Sequence, residues 1–371
     1  MNGKYTRGVA IAALALAVSV LVAACGGDDD NTSSGAAKTG ATPATKSATI
    51  GLLLPETKTA RYEAHDKPIF QAKVKELCPD CKQLYQNASQ DAQKQLAQAE
   101  AMLASGADVL VLDAVDVASV GPIIKEANQK NVPVIAYDRL ISDEKIAYYV
   151  SFDNVRQGRI QAQTLVDKIG KSKPIIQING APTDPSAGDY KKGAHQVFDK
   201  ALSIKKEFDT PDWSPDKAQR EMEQAITALG KDGFAGVYSA NDGMASGAIA
   251  AMKGAGIDPK TRPITGGDAE LAAIQRIVAG EQYSTIYLTI NKQAEVSAEL
   301  AVALAQKKPV PSGLVNAKTD NGALQVPSVL LSPVAVTKDN IKDTVVKDGF
   351  YKPSEICTGK YAAGCKDAGL M

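Results

Sequence analysis

The chain has 371 residues, and its 42 basic and 42 acidic side chains cancel. That balance gives no electrostatic reason to expect a nucleic-acid partner. Apolar residues make up 44% and aromatics 5%, as in a soluble globular chain, and the length suffices for two domains of ordinary size.

The amino terminus reads as a targeting segment. Lys4 and Arg7 supply a positive start, and the apolar run over residues 9–22 is short for a membrane span. It ends in Val22-Ala23-Ala24-Cys25-Gly26, which resembles a bacterial lipoprotein processing site. The resemblance implies that a signal peptide, residues 1–24, is removed and that a lipid on the Cys25 thiol anchors the protein outside the cell membrane. The other readings are an ordinary signal peptide with an incidental cysteine and a short anchor helix. Residues 25–47 then form a flexible tether, rich in Gly, Asp, Ser, Thr and Ala and without apolar periodicity.

Strands and helices alternate from there. Strands are expected at 48–54, 82–87, 109–112, 132–137 and 148–152, with helices reaching to 77, to 105 and through Ile123, Ile124 and Ala127. A second series follows, with strands at 174–178, 204–208, 236–239, 263–266 and 283–288. Its helices lie near 155–169, 190–202, 215–229, 243–252 and 269–279. A long helix at 291–305, a Pro/Gly-rich connection, a short strand at 328–331 and a charged tail complete the chain. Such alternation indicates α/β architecture with parallel sheets. A break near 152–156 suggests two lobes, with crossings near 153, 287 and 327. The expected division is 48–152 with 287–326, then 153–286 with 327–337, then a tail over 338–371.

Four cysteines besides Cys25 suit an exported protein with disulfides. The local pairing, Cys78 with Cys81 and Cys357 with Cys365, needs the least long-range closure. A metal site is not expected, because Cys78-Pro79-Asp80-Cys81 has no matching second pair and the chain holds only two histidines, His65 and His195.

Carboxylates stand at successive strand ends: Asp113, Asp138 and Asp153 in the first half, Asp242 and Asp268 in the second. Ligands of open α/β sheets bind beyond those ends. An Asp there also starts turns or caps helices, with no ligand involved. Asn154 and Asn241 add amides, and Arg61 and Arg139 add fixed forks of donors. This mixture suits a neutral ligand covered in hydroxyls, and Tyr62 and Trp213 offer faces for a sugar ring.

The segments Thr57-Lys58-Thr59-Ala60-Arg61-Tyr62, Ala136-Tyr137-Asp138-Arg139, Ser151-Phe152-Asp153-Asn154, Ser239-Ala240-Asn241-Asp242 and Gly266-Gly267-Asp268-Ala269 occur in this order. So does the tail segment Asn340-Ile341-Lys342-Asp343-Thr344-Val345-Val346-Lys347-Asp348-Gly349-Phe350. Together they resemble the periplasmic D-xylose-binding proteins of ABC transporters, within the type I, ribose-binding-like sugar-binding family. The resemblance implies a two-lobed type I periplasmic-binding-protein fold. Each lobe would be a parallel-sheet αβα sandwich, joined to the other by a three-segment hinge that closes on a monosaccharide. By position, Arg61, Asp138, Arg139, Asp153, Trp213, Asn241 and Asp268 match sugar-contacting residues. Asn154 is a further contact, and Tyr62 is the aromatic neighbour of the first Arg. One departure is Leu288, after Thr285-Ile286-Tyr287, where xylose binders often carry Lys. The first loop is also similar to multiple-sugar binders linked to chemotaxis.

The implied partners are a monosaccharide, D-xylose favoured, and an ABC permease, with the protein acting as a monomer and without a cofactor. A glycoside hydrolase would need a carboxyl pair at a set separation. A sugar-responsive regulator would need a DNA-binding segment in place of the export signal. A sensor reporting to a membrane receptor is the remaining alternative.

Overall fold

The computed structural model describes residues 47–371. Cys25, the signal peptide and nearly all of the tether lie outside the described residues. Five strands form the first half: β1 (Thr49–Leu54), β3 (Val109–Leu112), β4 (Val134–Tyr137) and β5 (Tyr148–Phe152) come from largely apolar runs, and β2 (Lys82–Asn87) is a polar strand at the sheet edge. β1, β3 and β4 are buried along their whole length, as befits parallel strands covered on both faces.

Side chains alternate between those faces. Ile50, Leu52, Val109, Val111 and Ile135 point toward helices Lys67–Leu77 and Ile290–Ala305. Leu53, Leu110, Leu112, Val134 and Ala136 join the opposite layer, with helices Ala92–Ala104 and Gly121–Gln129.

The second series builds a separate sheet from β6 (Pro174–Asn179), β7 (Ser203–Asp209) and β8 (Gly236–Ser239), in the order β7-β6-β8 and all parallel. Residues 263–266, expected as a strand, form only a bridge from Ile264 to Val237. They still carry the hydrogen bonding across. The Val237 N–H donates to the Pro263 carbonyl at 2.9 Å, and the Ile286 N–H donates to the Gly266 carbonyl at 3.1 Å. Ile286 belongs to β9 (Ser284–Tyr287), which pairs antiparallel with the last strand of the chain, Val334–Thr337. Glycines let the covering helices meet closely. A Cβ on Gly158 would run into the Tyr190 carbonyl, so helix Pro185–Ala201 lies directly on helix Asn154–Ile169.

Three strands depart from expectation: Val334–Thr337, where the sequence predicts none, and two in the first sheet. β10 (Ala317–Asp320) is a polar edge strand in what reads as a connection; its half-exposed pattern gives no apolar signal. β11 (Gln325–Leu331) pairs antiparallel with β10 and parallel with β5, so the first sheet has seven strands in the order β10-β11-β5-β4-β3-β1-β2. The division expected at 327 therefore cuts through a strand of the first sheet. Pro327 obscures that strand in the sequence. The chain leaves the first sheet only after Leu331, entering β12 (Val334–Thr337), which forms a two-stranded sheet with β9.

Cys78 is bonded to Cys81, and Cys357 to Cys365. The tail is packed: Ile341, Val345, Phe350, Ile356 and Cys365 are buried with β9 and helix Leu271–Ala279. Among the described residues no helix is long and apolar enough to cross a membrane.

Candidate functional site

The carboxyl ends of the two sheets face each other across a cleft. There a small cavity is lined by residues from both halves.

On the side of the first sheet, the Glu56 carboxylate accepts the backbone N–H groups of Lys58 and Thr59 and so shapes the loop before Arg61. Arg61 is buried and its donors are largely committed. Nε and Nη2 fork onto Asp66 at 3.0 and 2.7 Å, Nη2 also donates to the Gln293 carbonyl oxygen at 2.6 Å, and Nη1 reaches Asp138 at 3.3 Å. The Tyr62 hydroxyl donates to the other Asp138 oxygen at 3.3 Å. Burial works against the Arg61 charge, but Asp138 and Asp66 outweigh it and hold its pKa above the ordinary value.

Asp138 ends β4 with φ +63°. Its carbonyl accepts the hydroxyls of Ser151 at 2.7 Å and Tyr149 at 3.2 Å, which fixes that turn. Arg139 follows, 1% exposed. Its Nη1 donates to the carbonyls of Ala114 at 2.9 Å and Val115 at 3.2 Å. Its Nε lies 3.0 Å from Asp184 and 3.3 Å from Asp113.

On the other side, Asp184 caps helix Pro185–Ala201 by accepting the Ser186 N–H at 2.8 Å. Its second oxygen accepts the Trp213 indole N–H at 3.2 Å. Tyr190, on the same helix, stands edge-on to Trp213 with ring centres 6.3 Å apart. Asn241 caps helix Asp242–Gly254 through its carbonyl oxygen, which accepts the Met244 N–H at 2.9 Å and leaves its amide N–H groups for the cavity. Among the described residues the Asp268 carboxylate has no hydrogen-bond partner. Burial raises its pKa well above the carboxylate range, with Arg61 opposing. Burial likewise raises Asp184 and Asp113, in both cases against Arg139. Trp213 and Asp268 share the left-handed backbone of Asp138, at φ +52° and +88°. Such conformations are costly for these residues and persist where the surroundings fix them.

Of the residues singled out in the sequence, Arg61, Tyr62, Asp138, Arg139, Trp213, Asn241 and Asp268 line the cavity together. Asp113, Asp153, Asn154 and Asp242 do not. Asp113 is fully buried behind Arg139, with a carboxyl oxygen 3.3 Å from its Nε. Asp153 is exposed, and its side chain caps helix Asn154–Ile169 by accepting the Arg156 N–H at 3.0 Å. The Asn154 amide donates to the Ser186 hydroxyl at 3.2 Å. Thr59, Asp184, Tyr190 and Ala240 complete the lining. Asp184 had a legible signal, an Asp before Pro185 at a helix start, which reads equally as a simple cap. Leu288 lies in an apolar cluster with Phe152 and Ile290, away from the lining, so the cavity's charged donors are Arg61 and Arg139.

The arrangement offers fixed acceptors, fixed donors and an aromatic pair, a set that recognises hydroxyl positions by charge-assisted hydrogen bonds. Among the described residues no three His, Cys, Asp or Glu side chains are grouped to hold a metal ion.

A family model described as periplasmic binding protein domain matches residues 50–309. The chain is 37% identical over 317 residues to the D-xylose-binding periplasmic protein of Escherichia coli K12, covering 84% of this chain and 93% of that one. It is 32% identical over 330 residues to a multiple sugar-binding periplasmic receptor of Rhizobium radiobacter, with 83% and 92% covered. Among solved structures, a carbohydrate-transporter solute-binding protein from Chloroflexus aurantiacus in complex with D-glucose superposes with a TM-score of 0.75 at 26% identity. That match covers 84% of this chain and 98% of the other.

Proposed function

The chain belongs to the periplasmic binding protein family, and on that premise we propose that it captures an aldose, D-xylose favoured, and delivers it to an ABC permease. The observation that carries this reading is the cleft cavity, with Arg61, Asp138 and Arg139 on one side and Trp213, Asn241 and Asp268 on the other. A sugar touching both sides favours the closed form, because only closure lets it make all its contacts. The work is capture and release, with no bond made or broken.

Arg139 spans the cleft to Asp184 at 3.0 Å, and the Ala60 N–H donates to Glu270 at 3.3 Å, so protein contacts reinforce closure. The first lobe comprises the seven-stranded sheet with its helices, and the second comprises β6 to β9 with β12. The protein acts as a monomer, held outside the membrane by a lipid on Cys25. Replacing Cys25 by Ser should leave the protein unprocessed or free in the medium; normal membrane attachment of that variant contradicts the anchor. A broader monosaccharide range is a second reading, favoured by the likeness to the multiple sugar-binding receptor.

Ligands that bind only the folded state raise its melting temperature. A thermal-shift panel of D-xylose, D-glucose, D-galactose, L-arabinose, D-ribose and myo-inositol should therefore give its largest shift with D-xylose. A flat panel contradicts the sugar-binding reading.

A further inference from the structure

Asp242 follows Asn241 at the first turn of its helix and is fully buried, outside the cavity lining. Its carboxylate ties down the loop that carries Asp268. Oδ2 accepts the Glu270 N–H at 3.0 Å and the Thr285 hydroxyl at 2.8 Å. The Thr285 oxygen in turn accepts the Ala269 N–H at 3.1 Å. Oδ1 accepts the Gln282 amide at 2.7 Å, and Arg276 donates to the Asp242 carbonyl at 3.0 Å. The two residues after Asp268 are thus fastened to Asp242, one directly and one through Thr285. Asp268 and Ala269 both hold positive φ, +88° and +51°, a backbone that an unfastened loop would abandon. A Cβ on Gly266 would run into Asp242 Oδ1, so the loop presses against this carboxylate with no side chain between them.

We propose that Asp242 is a positioning residue for the sugar: its ionised carboxylate holds Asp268 at the cavity wall, so that affinity depends on the charge of Asp242. The inference rests on the sugar-binding reading above. Burial lifts the Asp242 carboxyl to about 7, Glu270 adds to the rise, and Arg276, Gln282 and Thr285 oppose it. The charged and titratable groups around it are Glu270 and Asp268 from the loop, Arg276 from helix Leu271–Ala279 and Tyr351 from the tail.

The carboxylate accepts all three side-chain and backbone donors. Once protonated, the group loses its negative charge and one oxygen carries a proton, so the bonds it accepts lose their charge assistance and weaken. Affinity is therefore full above the Asp242 pKa and falls as pH drops through it. By reciprocity, sugar binding near that pKa releases protons.

The test is calorimetric titration with D-xylose between about pH 5.5 and about pH 8.5, in buffers of differing ionisation enthalpy. Wild type should lose about tenfold in affinity toward the acid end, the worth of one charge-assisted hydrogen bond, and should release protons near neutrality. Asp242→Asn should bind with the acid-end affinity throughout and lose that proton release. Thr285→Val, which cuts the link to Ala269, should weaken binding while leaving Asp242 to titrate. A folded Asp242→Asn with wild-type affinity and pH profile overturns the inference alone. If that variant fails to fold, wild-type affinity in Thr285→Val overturns it instead. Wild type that binds none of the sugars at any pH overturns the sugar-binding reading, and the inference with it.

Discussion

Asp138 shows how a single strand-end carboxylate becomes part of a site. Its two oxygens already accept from Arg61, Gln293 and Tyr62, so its position is set before any ligand arrives. Asp268 is the opposite case, with no protein partner among the described residues and the most to gain from a ligand donor. Asp268→Ala should cost about 1–3 kcal/mol of sugar binding, the range for leaving a buried hydrogen-bond partner unsatisfied. Unchanged affinity by calorimetry in a folded variant rejects that role. Strand-end position was legible because apolar runs mark where strands stop, but side-chain direction was not. Asp113 and Asp138 end neighbouring strands. Arg139 lies over Asp113 and takes it out of the lining, whereas Asp138 turns at positive φ into the cleft.

The turn Pro211–Trp213 and the loop after β6 act together at the level of elements. Gly180 ends β6 where the Trp213 ring passes, and a Cβ there would run into the ring. Gly180→Ala should therefore displace Trp213 and weaken sugar binding while leaving the fold intact. Trp213 is the only tryptophan, so its emission spectrum reads the displacement directly. An unshifted spectrum with normal binding contradicts this packing. Helix Pro185–Ala201 carries Tyr190 and is capped by Asp184; neither stands out in the sequence, because their roles depend on the helix crossing at Gly158. The tail is held by the short loop from Cys357 to Cys365. Replacing both cysteines by Ser should cost about 2–3 kcal/mol of stability by loop-closure entropy. Thermal or denaturant unfolding measures that cost, and an unchanged midpoint contradicts it.

Across the whole molecule, the alternation of strands and helices made the α/β architecture and the two sheets legible, since period and length mark buried parallel strands well. The late strands were harder. β10 is polar and pairs with the neighbouring β11, while β11 contains Pro327 and pairs with β5, far away in sequence. The site exists only where the sheets face one another, so its composition follows from closure as much as from any motif. The central claim is that the cleft binds one sugar with groups from both sides. Calorimetric titration of residues 47–371 with D-xylose, after unfolding and refolding to strip carried ligand, tests it most directly. The account predicts a single saturable site, with D-xylose bound more tightly than its phosphate ester, because the acidic strand ends repel phosphate. No heat of binding, or equal affinity for the phosphate, would contradict it.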